Sequence, residues 1–218
     1  MEEFDKIILV WRKSTGSRRE AIGELCKEGD KYIFRYVSNI KNLIENNKAI
    51  PYLEFQDIEK KYTENVLDIF AQRLTKTSRL DIKSLYDFWE IDELMTSDKF
   101  YLLGKTQGLV STDNFEFLAQ FKYKKGLTFL TEISALSINK LNPDIVKEGD
   151  KLSYVLETDN EFDSQAVKVF SNGVELGYIK KFHTSVFHSK EDVNIELVVK
   201  AIDKNGILKR VFVKVICN

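Results

Sequence analysis

Residues 160–180 read NEFDSQAVKVFSNGVELGYIK and predict a β-hairpin. The segment 166–170, Ala-Val-Lys-Val-Phe, places Lys168 on one face and two valines on the other, which is the two-residue period of a strand. Asn172-Gly173 follows, and both residue types tolerate the positive φ angles of a tight two-residue turn. Residues 174–180 then supply the returning strand.

Four further strands are predicted on either side of this hairpin. They cover residues 128–138, 151–157, 193–201 and 207–217, with turn residues between them and a short helix over 182–190. Six strands in about ninety residues indicate a small β-barrel of the OB or SH3 kind. A run of lysines that ends at Gly126 marks the predicted boundary, so that residues 127–218 form the barrel domain and residues 1–126 a separate one.

The hairpin and its preceding corner follow the pattern N-x-[FY]-D-x-x-A-[VI]-x-V…G-x-x-[LIV]-G-Y-[IL]. This pattern resembles the HIRAN domain, known from DNA-repair remodellers and from many bacterial proteins. In the repair proteins, the aromatic residue at the position of Phe162 stacks on the terminal base of single-stranded DNA. The aspartate at the position of Asp163 accepts a hydrogen bond from the free 3′ hydroxyl. The resemblance implies these roles here, with Asn160 in the same corner.

Three further residues are predicted to border this corner, because the returning strand ends at the same rim of the barrel. Tyr178 stands where a repair protein has a histidine, and Lys180 and Lys181 are candidates for phosphate contacts. Family members that grip DNA ends also carry a G-x-R-Y-Y-like run on the first barrel strand. The aligned residues 135–139, Ala-Leu-Ser-Ile-Asn, lack the arginine and both aromatics, and the following Lys140 offers only a point charge.

The charges of the chain balance, with 33 lysines and arginines against 34 aspartates and glutamates. A nucleic-acid site must therefore be a local patch rather than a property of the whole surface. The densest basic loop is the one in which Lys13, Arg18 and Arg19 flank Gly16. This loop is predicted either to contact phosphates or an acidic partner, or to be an ordinary hairpin tip.

No motif of an enzyme or of a metal site is recognisable. Cys26 and Cys217 lie far apart, which excludes a zinc site made of cysteines. His183 and His188 are five residues apart with no glutamate between them, so we interpret both as surface histidines. The sequence has no phosphate-binding loop and no nucleophile turn. We expect a protein without enzymatic activity and without a cofactor.

Targeting and membrane segments are not recognisable either. No window of about 18 apolar residues exists, and no basic N-terminal region precedes an apolar run. We therefore expect a cytoplasmic protein that does not span a membrane.

The first part of the chain begins with three predicted strands, over residues 7–11, 21–26 and 32–37, in an antiparallel meander. The segments Ile22-Gly23-Glu24-Leu25 and Tyr32-Ile33-Phe34-Arg35-Tyr36 resemble the N-terminal subdomain of HipA-type kinase toxins, although no kinase core follows. Helices are predicted over residues 39–47, 57–74 and 81–89 and from Ser97 or Asp98 onward, and an extended segment over 113–123. The aromatic residues between 39 and 108 are expected to form a core.

The sequence thus predicts an α+β protein with an N-terminal sheet, a helical segment and a C-terminal HIRAN-like barrel. Its expected function is binding of single-stranded DNA or DNA 3′ ends by the barrel. The alternative is a protein-interaction or regulatory module, in which the N-terminal part docks a protein partner and the barrel no longer binds DNA. The sequence does not decide between DNA and RNA.

Overall fold

The computed structural model describes residues 3–14, 16–76, 78–136, 141–189 and 193–218. The chain divides into two compact units, one ending at Gln120 and the other running from Phe121 to Asn218. The division falls a little before the predicted boundary at Gly126, because the N–H group of Gly126 donates to the carbonyl of Cys217 at 2.7 Å. Among these residues, no helix is long and apolar enough to cross a membrane. Independent folding of each unit stays a prediction.

The first unit contains a four-stranded antiparallel sheet. Strands β1 (Lys6–Trp11), β2 (Glu20–Glu28) and β3 (Lys31–Tyr36) form the predicted meander. A fourth strand, β4 (Phe115–Ala119), lies inside the segment that was predicted as extended, and it gives the order β3-β2-β1-β4. All five residues of β4 are buried, because the strand pairs with β1 beneath the helices.

Four short helices lie between β3 and β4. They are α1 (Ile40–Glu45), α2 (Val66–Ala71), α3 (Ile82–Trp89) and α4 (Lys99–Thr106), with a 3₁₀ turn at Glu93–Met95. The predicted start of the last helix is confirmed, since the Asp98 carboxylate accepts the N–H of Tyr101 at 2.9 Å. The prediction of a helix from residue 57 onward is wrong. Tyr62 instead exchanges backbone hydrogen bonds with Phe34, and Asn65 has a φ of 53°, which interrupts a helix.

An aromatic cluster forms the core of this unit, as expected from the sequence. The ring of Phe34 lies 4.9 Å from that of Tyr36 and 5.2 Å from those of Phe55 and Phe70, measured between centroids. Such distances are typical of favourable edge and offset contacts.

The second unit is a closed antiparallel barrel, which confirms the predicted α+β class. Its six strands are β5 (Thr128–Ser134), β6 (Lys151–Glu157), β7 (Ala166–Ser171), β8 (Val174–Ile179), β9 (Ile195–Lys204) and β10 (Leu208–Cys217). Their order around the barrel is β10-β5-β8-β7-β6-β9. Two residue pairs join β5 to β8, and two join β6 to β9. The barrel therefore consists of two three-stranded sheets, β6–β7–β8 and β9–β10–β5, joined along two short seams.

The hairpin predicted over residues 166–180 is confirmed, with φ angles of 48° at Asn172 and 80° at Gly173. Two neighbouring predictions need shortening. Strand β5 ends at Ser134 because Ala135 has a φ of 67°, and residues 137–140 lie outside the described part of the chain. The predicted helix over 182–190 is a single 3₁₀ turn at Ser185–His188, and Lys190 is not described.

Candidate nucleic-acid interface

The loop between β6 and β7 forms a corner fixed by side-chain hydrogen bonds. The Asn160 Oδ1 atom accepts the N–H groups of Phe162 at 2.9 Å and of Asp163 at 3.1 Å. The Asp163 Oδ1 atom in turn accepts the N–H of Gln165 at 3.0 Å. Such contacts are the ordinary way in which asparagine and aspartate stabilise turns. Asn160 and Asp163 therefore hold the backbone on both sides of Phe162.

Phe162 presents its ring to solvent at the tip of this corner. Its relative exposure is 69%, and it is the one aromatic residue among the exposed large apolar side chains of the described ranges. An aromatic ring on a fixed backbone offers a flat face on which a nucleobase of any kind can stack. Phe162 therefore has the exposure that its predicted stacking role requires.

Glu157, at the end of β6, links this corner to the neighbouring strands. Its Oε2 atom accepts a hydrogen bond from Asn160 Nδ2 at 2.6 Å and another from the Tyr178 hydroxyl at 3.0 Å. Its Oε1 atom pairs with the ammonium group of Lys168, which lies 5.5 Å from the centroid of the Tyr178 ring. The register places Lys168 directly opposite Tyr178. The structure thus brings Tyr178 and Asn160 to the same rim, as predicted.

These contacts perturb the ionisation of the linked residues. The hydrogen-bonded ion pair with Lys168, followed by the hydrogen bond from Asn160, lowers the pKa of Glu157 to about 2. The same pair raises the pKa of Lys168 above its ordinary value. Burial is the main cause that raises the pKa of Tyr178. At neutral pH the rim therefore carries a carboxylate, an ammonium and a neutral phenol.

The low pKa of Glu157 predicts an acid dependence of barrel stability. A carboxylate whose pKa is lower in the folded than in the unfolded state stabilises the fold fully above its unfolded value, here 4.5. That contribution is lost as the pH falls toward about 2. We expect the difference in unfolding free energy between the wild type and Glu157→Gln to be constant above pH 4.5 and to shrink below it.

Urea unfolding of both proteins at a series of pH values, with a carbon-13 NMR titration of the Glu157 carboxylate, measures this effect. A difference that stays the same throughout the acid range would show that the carboxylate has an ordinary pKa.

The two lysines at the end of the hairpin have different surroundings. Lys180 is completely buried, and its ammonium group lies 3.3 Å from the Glu132 carboxylate of β5. The prediction that Lys180 contacts phosphates is therefore wrong. Ile179 pairs with Ile133 in the seam, and Lys180, the next residue, lies beside Glu132 instead of reaching solvent. Lys181 is exposed, with its ammonium group 5.8 Å from the centroid of the Phe182 ring.

The basic residues of the loop between β1 and β2 also differ in their exposure. The Arg19 guanidinium binds the buried carboxylate of Glu116 through Nε, at 2.9 and 3.1 Å, and its side chain is 14% exposed. Arg19 therefore anchors the loop to β4, and the predicted contact of its guanidinium with phosphates or an acidic partner is wrong. Lys13 and Arg18 lie on the surface.

The histidine prediction holds for one residue of the two. His183 is completely buried, with Nδ1 at 2.9 Å from the hydroxyl of Thr131, so its interpretation as a surface residue is wrong. His188 lies near the surface, with Nε2 at 3.1 Å from the carbonyl of Gln165. Within the described ranges, no group of three histidine, cysteine, aspartate or glutamate side chains is placed to hold a metal ion.

Two residues of the rim, Glu157 and Lys168, were missed by reasoning from the sequence. The strand period assigned Lys168 to the same face as Phe170, which is correct. The period does not give the diagonal neighbour on β6, because that depends on the register between β6 and β7. The observed register, with Glu157 opposite Ala166, brings Lys168 within reach of Glu157.

The electrostatic character of the corner is acidic. Glu157, Asp159, Glu161 and Asp163 lie within seven consecutive residues, a segment that contains no lysine or arginine. Lys168 is already paired with Glu157 and lies 3.8 Å from Glu175. The corner therefore presents an aromatic ring within a local excess of negative charge, which disfavours the close approach of phosphates.

Comparison with known proteins returned similarities at the level of structure. No family model and no curated protein sequence matches the chain. The HIRAN domain of human HLTF has a similar structure. The match has 18% sequence identity and a TM-score of 0.33, and covers 40% of this chain and 74% of that one. A protein from Lactobacillus plantarum is similar with 16% identity and a TM-score of 0.33, over 42% of this chain and 94% of that one.

A HIRAN domain is thus among the solved structures to which this chain is similar. The resemblance of the first three strands to the HipA N-terminal subdomain is not confirmed by these comparisons and stays a prediction.

Proposed function

We propose that the barrel binds the 3′ end of single-stranded DNA at the corner between β6 and β7. The observation that carries this proposal is the exposed ring of Phe162 on a backbone fixed by Asn160 and Asp163. A base that stacks on this ring removes apolar surface from water, and such stacking contributes roughly 1–3 kcal/mol per base. Because the turn is already ordered by hydrogen bonds, little conformational entropy remains to be lost on binding.

The acidic surroundings of Phe162 support the preference for an end. An internal nucleotide is followed by a phosphodiester, which Asp163, Glu161 and Asp159 would repel. A terminal nucleotide carries a hydroxyl group instead. Asp163 uses Oδ1 to hold the turn, and among the described residues its Oδ2 atom accepts no hydrogen bond. In the proposed complex Oδ2 accepts the terminal hydroxyl, while the exposed Lys181 approaches a phosphate further along the strand.

Tyr178 and its partners complete the rim in this proposal. The hydroxyl of Tyr178 is oriented by Glu157, and its ring is covered in part by Lys168. We assign Tyr178 a supporting role beside the stacked base, and we assign the protein binding without catalysis. A cytoplasmic location stays a prediction.

A second candidate function, docking of a protein partner by the first unit, is favoured by a different observation. Leu80 and Leu94 are fully or almost fully exposed on either side of α3, and Leu53 is also exposed. Contiguous exposed apolar side chains are typical of an interaction surface, and this candidate requires Leu80 and Leu94 to share one. This alternative becomes the preferred one if the barrel does not bind DNA.

Fluorescence anisotropy with labelled single strands that end in a 3′ hydroxyl or a 3′ phosphate tests the proposal. We expect tighter binding of the hydroxyl strand. Phe162→Ala should weaken binding to every sequence by about 10-fold or more, which corresponds to the loss of one stacking contact. Val174→Ala, which removes another exposed apolar side chain of the barrel, is the matched control and should leave affinity unchanged.

Asp163→Asn tests the recognition of the end. Asparagine keeps an oxygen that can accept the N–H of Gln165 but removes the negative charge, so the fold should be retained. We expect the preference for the hydroxyl strand over the phosphate strand to disappear. If the wild type binds no single strand at low salt, or binds both ends equally, the proposed function is wrong.

A further inference from the structure

One edge of strand β6 has no neighbouring strand over most of its length. On this side β6 pairs with β9 only as far as Leu152, and beyond it no strand of the described ranges continues the pairing. The carbonyl of Asp150 accepts the N–H of Val199 of β9 at 2.9 Å. Because the direction of bonding alternates along a strand, the even-numbered residues of β6 point their backbone N–H and C=O groups toward this side. Tyr154 and Leu156 therefore direct their backbone groups at the open edge, whereas their odd-numbered neighbours bond to β7.

The side chains beside this edge are apolar and exposed. Val155 is 56% exposed on the outer face of the barrel, where it lies opposite Lys168 of β7. Leu156 lies opposite Val167, which is completely buried, so Leu156 belongs to the side that faces the core. It is nevertheless 40% exposed. The missing neighbouring strand accounts for this exposure.

The edge also lacks the features that usually prevent a strand from pairing with other molecules. Proteins protect exposed edges with lysines, prolines, inward-pointing charges or bulges. Residues 152–156 read Leu-Ser-Tyr-Val-Leu and contain no charge and no proline. Their register with β7 is regular, without a bulge. An edge of this composition is expected to be covered by another strand.

A second copy of β6 fits this edge in one antiparallel register. When Val155 lies opposite Val155 of the second copy, Tyr154 of each copy lies opposite Leu156 of the other. These two pairs can then exchange backbone hydrogen bonds in both directions, and both exposed apolar side chains become covered. A shift by two residues would set Leu156 opposite Leu152, which is already paired with β9, or Tyr154 opposite Thr158, which lies beyond the end of the strand.

The charges at this edge are compatible with the same register. Glu157 of one copy faces Ser153 of the other, and the Glu157 carboxylate is already paired with Lys168 of its own copy. No like charges therefore lie directly opposite each other. Apolar pairs across two strands stabilise a sheet, whereas opposed like charges destabilise it.

We propose that the protein forms a two-fold symmetric dimer in which the β6 edges of two copies pair antiparallel about Val155. A contact in which both copies use the same surface closes on itself, so the association ends at a dimer. Short strands bury a small area, so we expect a reversible association rather than a permanent one. The inference does not rest on DNA binding, and each copy of the dimer carries its own corner around Phe162.

Sedimentation velocity of the full chain over a range of micromolar concentrations tests the proposal. The wild type should shift reversibly from monomer to dimer as its concentration increases. Val155→Lys should weaken the association by about 10-fold or more, because it removes the apolar pair and sets two ammonium groups opposite each other. Val174→Lys, at another exposed valine of the barrel, adds the same charge and is the matched control, which should leave the association unchanged.

A mixture of charge variants tests the register. Val155→Glu alone should also weaken the association, whereas an equal mixture of Val155→Lys and Val155→Glu should recover the dimer, because opposite charges then face each other. Recovery would also show that both variants are folded. Hydrogen exchange of the wild type gives an independent measurement. The amides of Tyr154 and Leu156 should become more protected as the concentration increases, whereas that of Val155, which bonds to β7 in each copy, should not change.

The inference is overturned if the wild type remains a monomer throughout the concentration range, or if Val155→Lys and Val174→Lys affect the association equally. Failure of the mixed variants to recover the dimer would exclude the self-pairing of Val155. Protection of Tyr154 and Leu156 that does not depend on concentration would show that the chain covers this edge itself, and would also overturn the inference.

Discussion

Gly177→Ala should lower the free energy of unfolding of the barrel by about 3 kcal/mol, the upper part of the range for a side chain forced into a packed site. A Cβ atom at this position would lie 2.2 Å from the carbonyl oxygen of Ser134 and 3.1 Å from a methyl group of Ile133. The φ angle of 147° adds strain for any residue with a side chain. The clash falls on the seam where Ser134 pairs with Tyr178, so β5 and β8 must move apart.

Differential scanning calorimetry of the full chain measures this loss, and Gly206→Ala is the matched control. Gly206 also has a positive φ, 70°, but nothing in the described structure lies within 4 Å of an added Cβ atom. Its replacement should therefore cost only the conformational strain, about 1 kcal/mol. Equal losses of unfolding free energy in the two variants would show that the seam can accommodate a Cβ atom. Glycine would then be needed at position 177 for its φ angle alone.

Lys180→Ala should destabilise the barrel by about 3 kcal/mol, whereas Lys181→Ala should change its stability by less than about 0.5 kcal/mol. Removal of the buried ammonium group leaves the Glu132 carboxylate with one fewer cation in a region of little solvent. The Arg210 guanidinium, 3.0 Å from Glu132, remains and limits the loss. Lys181 is exposed, and its replacement removes no buried contact.

Urea unfolding of Lys180→Ala and Lys181→Ala compares their free energies of unfolding. DNA binding by the same variants provides a second measurement. If Lys181 contacts a single-strand phosphate, Lys181→Ala lowers the salt slope of binding by about 0.7. Lys180→Ala should leave that slope unchanged in protein that is still folded. A lower slope for Lys180→Ala, with stability unchanged, would restore Lys180 to the binding surface.

The barrel could be predicted because its strands carry a local signal. The alternation in 166–170 and the Asn172-Gly173 turn specify a hairpin without reference to the rest of the chain. The irregular segment before α2 could not be predicted in the same way. Its conformation depends on the bridge between Tyr62 and Phe34, residues far apart in sequence, and a long-range contact of this kind leaves no periodic pattern.

The part of the candidate site that is formed by a local turn could be predicted from the sequence. The burial of individual charged side chains could not. Asn160, Phe162 and Asp163 lie within four consecutive residues, so the corner follows from local chemistry. Lys180 and Arg19 were candidates for contacts with phosphates because lysine and arginine are usually exposed. Each instead pairs with a glutamate on another strand, Glu132 or Glu116, and only the sheet register identifies those partners.

The two short seams determine what happens to the barrel when it is weakened. Opening of β5 from β8 leaves unpaired backbone N–H and C=O groups along both strands, and a closed barrel becomes an open sheet. Free strand edges pair with the edges of other molecules. Seam variants are therefore expected to be lost through self-association before their hairpins unfold, so that their apparent stability decreases as the protein concentration increases.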